Sequence, residues 1–255
     1  MQALEFSSLA KHYTNRPAYS DHLLNTLLLY TGYMRKVDYT VADVGAGTGK
    51  FTKMLLERGI KVTAVEPNDS MRQEGIAYTK GHDASWLAGS AERTGMPSAS
   101  TDWILMASSF YLTDPDKALP EFHRVLKPGG YFTALWNPRN LEASELQTRI
   151  ERQIYEIVPS IKRVSSGSKA HSKNWEEVFV STGHFTNVIF MEVDQVETMP
   201  KERYMGVWRS VLDIQSQAGP QKWAEILSMI EGEIAHLNFV EVPYKNRAWT
   251  GQRLD

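Results

Sequence analysis

Short apolar runs alternate with longer amphipathic ones along the first half of the chain. Val41–Val44, Ile60–Val65, Trp103–Ala107 and Tyr131–Trp136 are β-rich runs of the kind buried on both faces of a sheet. Between them, Gly49–Arg58, Ser70–Tyr78 and Pro115–Leu126 have helical length. Strands alternating with helices predict right-handed βαβ crossovers, and so a parallel sheet with helices on both faces.

Local punctuation agrees with this pattern. Gly59 follows Arg58 as a helix C-cap should, and Lys127-Pro-Gly-Gly130 reads as a turn into the next strand. Pro120 falls inside the third helical segment, so that helix either kinks there or begins near it. Upstream, Ser20–Lys36 carries Leu23, Leu24, Leu27, Leu28 and Met34 at helical spacing, with Ser20 as N-cap. Downstream, helices are expected at Leu141–Val158, Asn174–Ser181, Lys201–Ile214 and Gln221–His236, with strands at Phe185–Val196 and Leu237–Tyr244. Ser160–Lys173, with five Ser and a Gly, reads as a loop. Lacking repeats or an evident linker, the chain reads as one domain, 1–255. Its core would span about 38–137, an N-terminal cover 1–37, and a lid with closing strands 138–255.

Charge and composition narrow the chemistry. The 28 basic and 30 acidic residues leave a net charge of +1 up to Asn140 and −3 beyond it. Neither part carries the positive surplus that phosphate-backbone binding uses, so no nucleic-acid partner is expected. The absence of Cys removes disulfides, thiolate metal sites and Cys nucleophiles. His22, His82, His123, His184 and His236 form no spaced ligand pair, so no metal is expected. Met1–Ala10 lacks a basic start and an apolar core, and no run is long enough to span a bilayer. A cytoplasmic protein without a membrane partner is the expectation; the oligomeric state is open.

Candidate chemistry begins at Val41-Ala-Asp-Val-Gly-Ala-Gly-Thr-Gly-Lys50. Gly45, Gly47 and Gly49 stand between a strand and a helix, where glycine permits a left-handed turn and close approach of a ligand to the backbone. The spacing is G-x-G-x-G rather than the dinucleotide G-x-G-x-x-G, and no Walker A pattern exists. Asp43 precedes the loop and either touches a ligand or orders the turn. Glu66, 21 residues after Gly45 and just past the second strand, is placed to take a pair of ribose hydroxyls.

The loop Asp43–Gly49 is followed by Val65-Glu-Pro-Asn-Asp-Ser-Met71, then Gly89-Ser-Ala-Glu92 with Met96-Pro97, then Arg124-Val-Leu-Lys-Pro-Gly-Gly130. With these motifs in order, the sequence resembles the class I S-adenosylmethionine-dependent methyltransferases over about Tyr13–Asn137. More faintly, through Val240–Lys245, it is similar to small-molecule members of the trans-aconitate type. The resemblance implies a Rossmann-like, doubly wound, mostly parallel α/β sheet with a helical lid, and S-adenosyl-L-methionine as cofactor, leaving S-adenosyl-L-homocysteine. It implies that Gly45, Ala46, Gly47 and Gly49 cradle the methionine part, and that Glu66, beside Pro67, holds the ribose. Ser90, Ala91, Glu92 and Met71 would edge the adenine, and Ala107 and Ser108 the methionyl group. Arg16, with Tyr13 close by, would meet the methionyl carboxylate, a pairing suited to a planar guanidinium.

Aromatic and lid residues suggest the acceptor side. Tyr19, Phe110, Tyr111, Trp136, Trp208 and Arg209 are candidates for lining the substrate pocket, since aromatic faces favour a sulfonium cation. His12 and Tyr111 are the candidate bases for an amine or hydroxyl acceptor; a carboxylate acceptor needs none. After the third run stands Ser108-Ser-Phe-Tyr111 rather than [DNS]-P-P-[YF], which argues against planar amide-like nitrogens as acceptors. Helices before Thr40 and after Asn137 would close over the carboxyl edge of the sheet, which suits a small metabolite. The expected reaction is O- or N-methylation of a small metabolite or natural product. Carboxyl methylation of a small acid, methylation of tRNA or protein, and a non-catalytic cofactor-binding subunit are the alternatives.

Overall fold

A computed structural model describes residues 15–163 and 173–255. Its elements run α1 (Asp21–Tyr30), β1 (Thr40–Val44), α2 (Lys50–Leu56), β2 (Lys61–Val65), α3 (Asp69–Tyr78), β3 (Ala84–Leu87), β4 (Thr101–Ala107), α4 (Pro115–Val125) and β5 (Leu126–Trp136). Then come α5 (Glu145–Ile157), α6 (Trp175–Val180), β6 (Phe185–Pro200), α7 (Lys201–Arg209), α8 (Leu212–Glu233) and β7 (Phe239–Arg253). The seven strands form one sheet in the order β3-β2-β1-β4-β5-β7-β6. β1 to β5 are parallel, and β7 joins β5 antiparallel. Strand order reverses between β1 and β4, so the crevice where ligands bind in such sheets opens at their carboxyl ends.

Apolar runs become central strands because both faces are covered. Along β4, Trp103 and Leu105 pack with α1 and α2, while Ile104 and Met106 pack with α4 and α6. Ser20 caps α1 by accepting from the Leu23 N–H, and the helix ends at Tyr30 rather than near Lys36, just before left-handed Gly32. α4 continues through Pro120, losing only the hydrogen bond to the carbonyl of exposed Asp116 near its start.

Three departures from the sequence pattern have local causes. β3, only four residues long at the sheet edge, carries too short a signal to register. Lys127-Pro-Gly-Gly130 lies within β5, where a register shift and left-handed Gly129 absorb the turn. β7 runs on to Arg253 because its polar inward residues are satisfied. Thr250 meets Thr133 across the sheet at 2.8 Å, and Asn246 accepts the Ser20 N–H at 3.0 Å.

β7 pairs with β5 only over Arg247–Gln252, yet with β6 along nearly its whole length. The remaining part of the hairpin extends beyond the parallel sheet. There Met199, Val240, Val242 and Tyr244 form a separate core with α5, α7 and α8. α8 is broken at Gly219, φ 73° and ψ 169°, before Pro220, so the expected helix start at Gln221 coincides with a kink. The loop expected at Ser160–Lys173 lies largely outside the described residues. Among the described residues, no helix is long and apolar enough to cross a membrane.

At the amino edge of the sheet, Asp102 is 2% exposed and accepts from Lys36 at 2.7 Å, Lys127 at 2.8 Å and the Thr40 N–H at 3.0 Å. Burial opposes its charge, but these donors outweigh it and hold the carboxyl at about 2. On the opposite side, Gly75 of α3 makes room for Trp86 of β3. A Cβ there would fall 2.2 Å from the indole, which is itself tied to Thr79 Oγ1 at 3.1 Å. Gly75→Ala should therefore lower stability by about 1–2 kcal/mol, overpacking outweighing the gain in helix propensity. Urea unfolding followed by tryptophan fluorescence checks this.

Candidate active site

The turn between β1 and α2 is built by three glycines, all left-handed: Gly45 at φ 70°, Gly47 at 57° and Gly49 at 77°. Gly45 and Ala46 donate their N–H groups back to the Val65 carbonyl at 2.8 and 3.1 Å, which pins the loop to the end of β2. Space as well as φ selects glycine at the first position. A Cβ on Gly45 would fall 2.6 Å from Ser109 Oγ.

Glu66 closes the other side. Its carboxylate accepts the Gly47 N–H through Oε2 and the Asn68 N–H through Oε1, each at 2.9 Å, while Arg72 donates to its carbonyl. Burial pushes its carboxyl up, against the pull of the two amides and of Arg72. Asn68 in turn caps α3 by accepting from Met71 N at 3.0 Å. Met71 then lies beside the loop, its Cε 3.5 Å from where a Gly47 Cβ would stand.

Asp43, at the carboxyl end of β1, is fully buried. Thr52 Oγ1 donates to Oδ2 at 2.6 Å, whereas Oδ1 is buried and, among the described residues, has no hydrogen-bond partner. Burial, with the nearby charge of Glu66, pushes this carboxyl up to about 7. An orphaned carboxylate oxygen beneath a glycine loop is a position for a ligand's donor.

The end of β4 supplies the facing wall. Ser108 has φ 56°, a strained value for a residue with a Cβ, and such strain gathers at functional sites. Its hydroxyl meets the Tyr19 hydroxyl at 2.8 Å. Burial pushes the Tyr19 phenol far up, only partly offset by Ser108, so it stays protonated and serves as a donor rather than a base. Tyr111 is half-buried and close enough for its phenol to act on that of Tyr19.

The structure thus brings together Tyr19, Asp43, Gly45, Ala46, Gly47, Glu66, Met71, Ala107 and Ser108. Gly49 begins α2 over the Trp86 ring, and Pro67 is exposed just beyond Glu66. Ser90 makes a tight turn with Arg93, Ala91 is buried in the core, and Glu92 accepts the Asp114 N–H at the start of α4. The Arg16 guanidinium donates to Ser210 Oγ and carbonyl at 3.0 and 2.9 Å, and its own carbonyl accepts from Lys50.

Four aromatic or lid candidates stand elsewhere. Phe110 is wholly buried among Phe122, Phe132 and Trp175, and Trp136 is wholly buried against Trp175 and Trp249. Trp208 is buried in the lid core under the Arg139 guanidinium, 4.0 Å from its ring. Arg209 pairs with Glu231 on the exposed side of α8. For Phe110 and Trp136, aromatic character near a strand end does not by itself separate core from pocket. His12 and Tyr13 lie outside the described residues.

Ser109, Arg72, Lys50 and Ser210 were not singled out by the sequence. Ser109, Lys50 and Ser210 act through partners distant in the chain, which leave no local pattern, while Arg72 reaches back from α3 to the Glu66 carbonyl. Thr52 was the legible omission: one turn into the helix after the glycine loop, it is the natural partner for a buried acid at the strand end.

Comparison with known proteins agrees with this geometry. Residues 42–134 match the family described as a methyltransferase domain. An uncharacterized methyltransferase of Mycobacterium bovis is 37% identical over 139 residues, which covers 54% of this chain and 54% of that protein. The chain thus spans about half the length of the curated relative it matches. In fold it is similar to a candidate type II methyltransferase from Anaeromyxobacter dehalogenans (TM-score 0.65, 19% identity, covering 93% and 97% of the two chains). It is also similar in fold to phosphoethanolamine N-methyltransferase 2 of Haemonchus contortus, solved with S-adenosyl-L-methionine (TM-score 0.52, 15% identity, covering 94% and 54%).

The titration of Asp43 gives a sharp expectation. Its folded pKa, about 7, lies above the ordinary 3.8, so the folded state binds the extra proton between these values. Stability from this group is fully present below pH 4 and falls as pH rises towards 7. Asp43→Asn should match wild type at low pH and melt higher than it at pH 8. Thermal melts of the free protein across pH 4–8 measure the difference.

Proposed function

Since residues 42–134 match a methyltransferase domain, we propose that the chain is a class I S-adenosylmethionine-dependent enzyme that methylates an oxygen or nitrogen of a small molecule. The observation that carries this reading is the left-handed glycine loop, fastened to Glu66 through Gly47 and lying above an Asp43 oxygen with no partner. These residues fit the cofactor chemically. Gly45 and Gly47 leave a bare backbone edge for its methionine part, Asp43 Oδ1 is an acceptor for its ammonium, and the fixed Glu66 carboxylate suits ribose hydroxyls. When bound, the cofactor supplies an electrophilic sulfonium methyl.

The chain's own contribution is alignment and exclusion of water. Holding acceptor and methyl donor in line can supply about 7–11 kcal/mol of the barrier, without covalent help from the protein. Tyr19 and Ser108 provide a fixed pair of hydroxyls at the carboxyl end of β4. Tyr111 is the residue we assign to accept a proton from an amine or hydroxyl acceptor, with His12 the other candidate. The hairpin core with α5, α7 and α8 adds a lid beside this edge, which suits a small acceptor better than a macromolecule.

Calorimetry with S-adenosyl-L-homocysteine tests cofactor binding. We expect one-to-one binding, weakened about tenfold or more in Glu66→Ala by loss of charge-assisted hydrogen bonds, while NAD gives no heat. Failure of homocysteine-cofactor binding at millimolar ligand overturns the enzyme reading. Once an acceptor is found, Tyr111→Phe should lower turnover by about 10²–10⁴, the usual worth of a positioned base. Undiminished rates in both Tyr111→Phe and His12→Ala remove the two as bases.

A further inference from the structure

A second cleft lies apart from the glycine loop, on the outer side of the helix that follows it. Its volume is about 330 Å³, at the small end of ligand-sized pockets. Three parts of the molecule meet there: Lys50, Lys53 and Glu57 from α2, Tyr78 from the end of α3, Ala18 from the N-terminal segment and Arg203 from the lid helix α7. None of Asp43, Gly45, Gly47, Glu66 or Ser108 lines it, so it is separate from the site described above.

The charge is lopsided for a protein whose net charge is −2. Lys50, Lys53 and Arg203 face one lining carboxylate, Glu57, with Glu197 beside Arg203 as the second acid of the region. Glu197 pairs with Arg203 at 2.7 Å, and Arg203 Nε donates to the Asn15 carbonyl at 3.2 Å. Among the described residues, the Arg203 Nη1 has no hydrogen-bond partner. The Lys53 ammonium meets neither carboxylate nor carbonyl among the described residues and lies over the face of Tyr78 at 4.4 Å. Lys50 donates to the Arg16 carbonyl. Burial, with the positive charges of Arg203 and Arg16, pushes its amine down to about 8 against the opposing pull of Glu197. Among the described residues, Lys53 is the cation of this cleft that no carboxylate engages, and Arg203 keeps a donor free beside its ion pair with Glu197.

We infer that this cleft binds the phosphoryl group of a small organic phosphate, held between Lys53 and Arg203 and bridging the glycine-loop helix to the lid. Cations arriving from different elements suit a group with acceptor oxygens in several directions, as phosphate has and a planar carboxylate lacks. Tyr78 and Met54 add apolar surface for the organic part. The inference does not rest on methyl transfer.

Calorimetry on the whole chain at constant ionic strength, with phenyl phosphate and inorganic phosphate as probes, tests it. Saturable one-to-one binding is expected, weakened about tenfold by Lys53→Met and again by Arg203→Met, and kept by Lys53→Arg. Tighter binding of phenyl phosphate than of inorganic phosphate marks a phosphomonoester as the source; equal binding marks free phosphate. Saturation with S-adenosyl-L-homocysteine should leave phosphate affinity intact or raise it. No saturable binding, binding unchanged in Lys53→Met, or competition with S-adenosyl-L-homocysteine overturns the proposal. Phosphate binding that persists in a chain unable to bind S-adenosyl-L-homocysteine would refute the enzyme reading and leave this one standing.

Discussion

The two hydrogen bonds accepted by the Glu66 carboxylate organise everything around the candidate site. One comes from Gly47, inside the turn that starts α2; the other comes from Asn68, the residue that caps α3. A single side chain at the end of β2 therefore fixes the entry geometry of two helices and the shape of the loop between β1 and α2. Hydrogen bonds to a charged acceptor are each worth about 1.5–3 kcal/mol, and this carboxylate is buried enough that losing either would leave a poorly solvated charge. The loop cannot relax away from β2 without breaking them.

Two buried aspartates show where the sheet is structural and where it is poised for chemistry. Asp102, at the amino edge, is saturated by Lys36, Lys127 and Thr40, and its carboxyl is held at about 2. Asp43, at the carboxyl edge, has Thr52 on one oxygen and no described residue on the other, and its carboxyl is raised to about 7. Both are acids on adjacent parallel strands. Satisfied donors make one a fastener, and missing donors leave the other ready for a ligand.

The hairpin of β6 and β7 converts an open sheet into a covered one. Only the carboxyl-terminal end of β7, Arg247–Gln252, is held by β5; the rest of the hairpin projects beyond the parallel strands and gathers α5, α7 and α8 into their own core. Through Ser210 and Arg203 this second layer also reaches back to Arg16 and Asn15. The N-terminal segment is thus clasped between the glycine-loop helix and the lid.

The alternation of strands and helices, the parallel sheet, the glycine turn and Glu66 were legible in the sequence, because each rests on local periodicity or on a residue type that its own backbone position demands, whereas the four-residue β3 was not. Gly45, for example, is required by φ and by the nearness of Ser109, and both follow from a tight strand-to-helix turn. What only the tertiary structure decided is partnership. The continuation of β7 to Arg253, the burial of Phe110 and Trp136 in the core, the engagement of Arg16 by Ser210 and the lone oxygen of Asp43 all depend on which distant groups arrive beside them. Those arrivals are set by packing across the sheet, and no spacing along the chain encodes them.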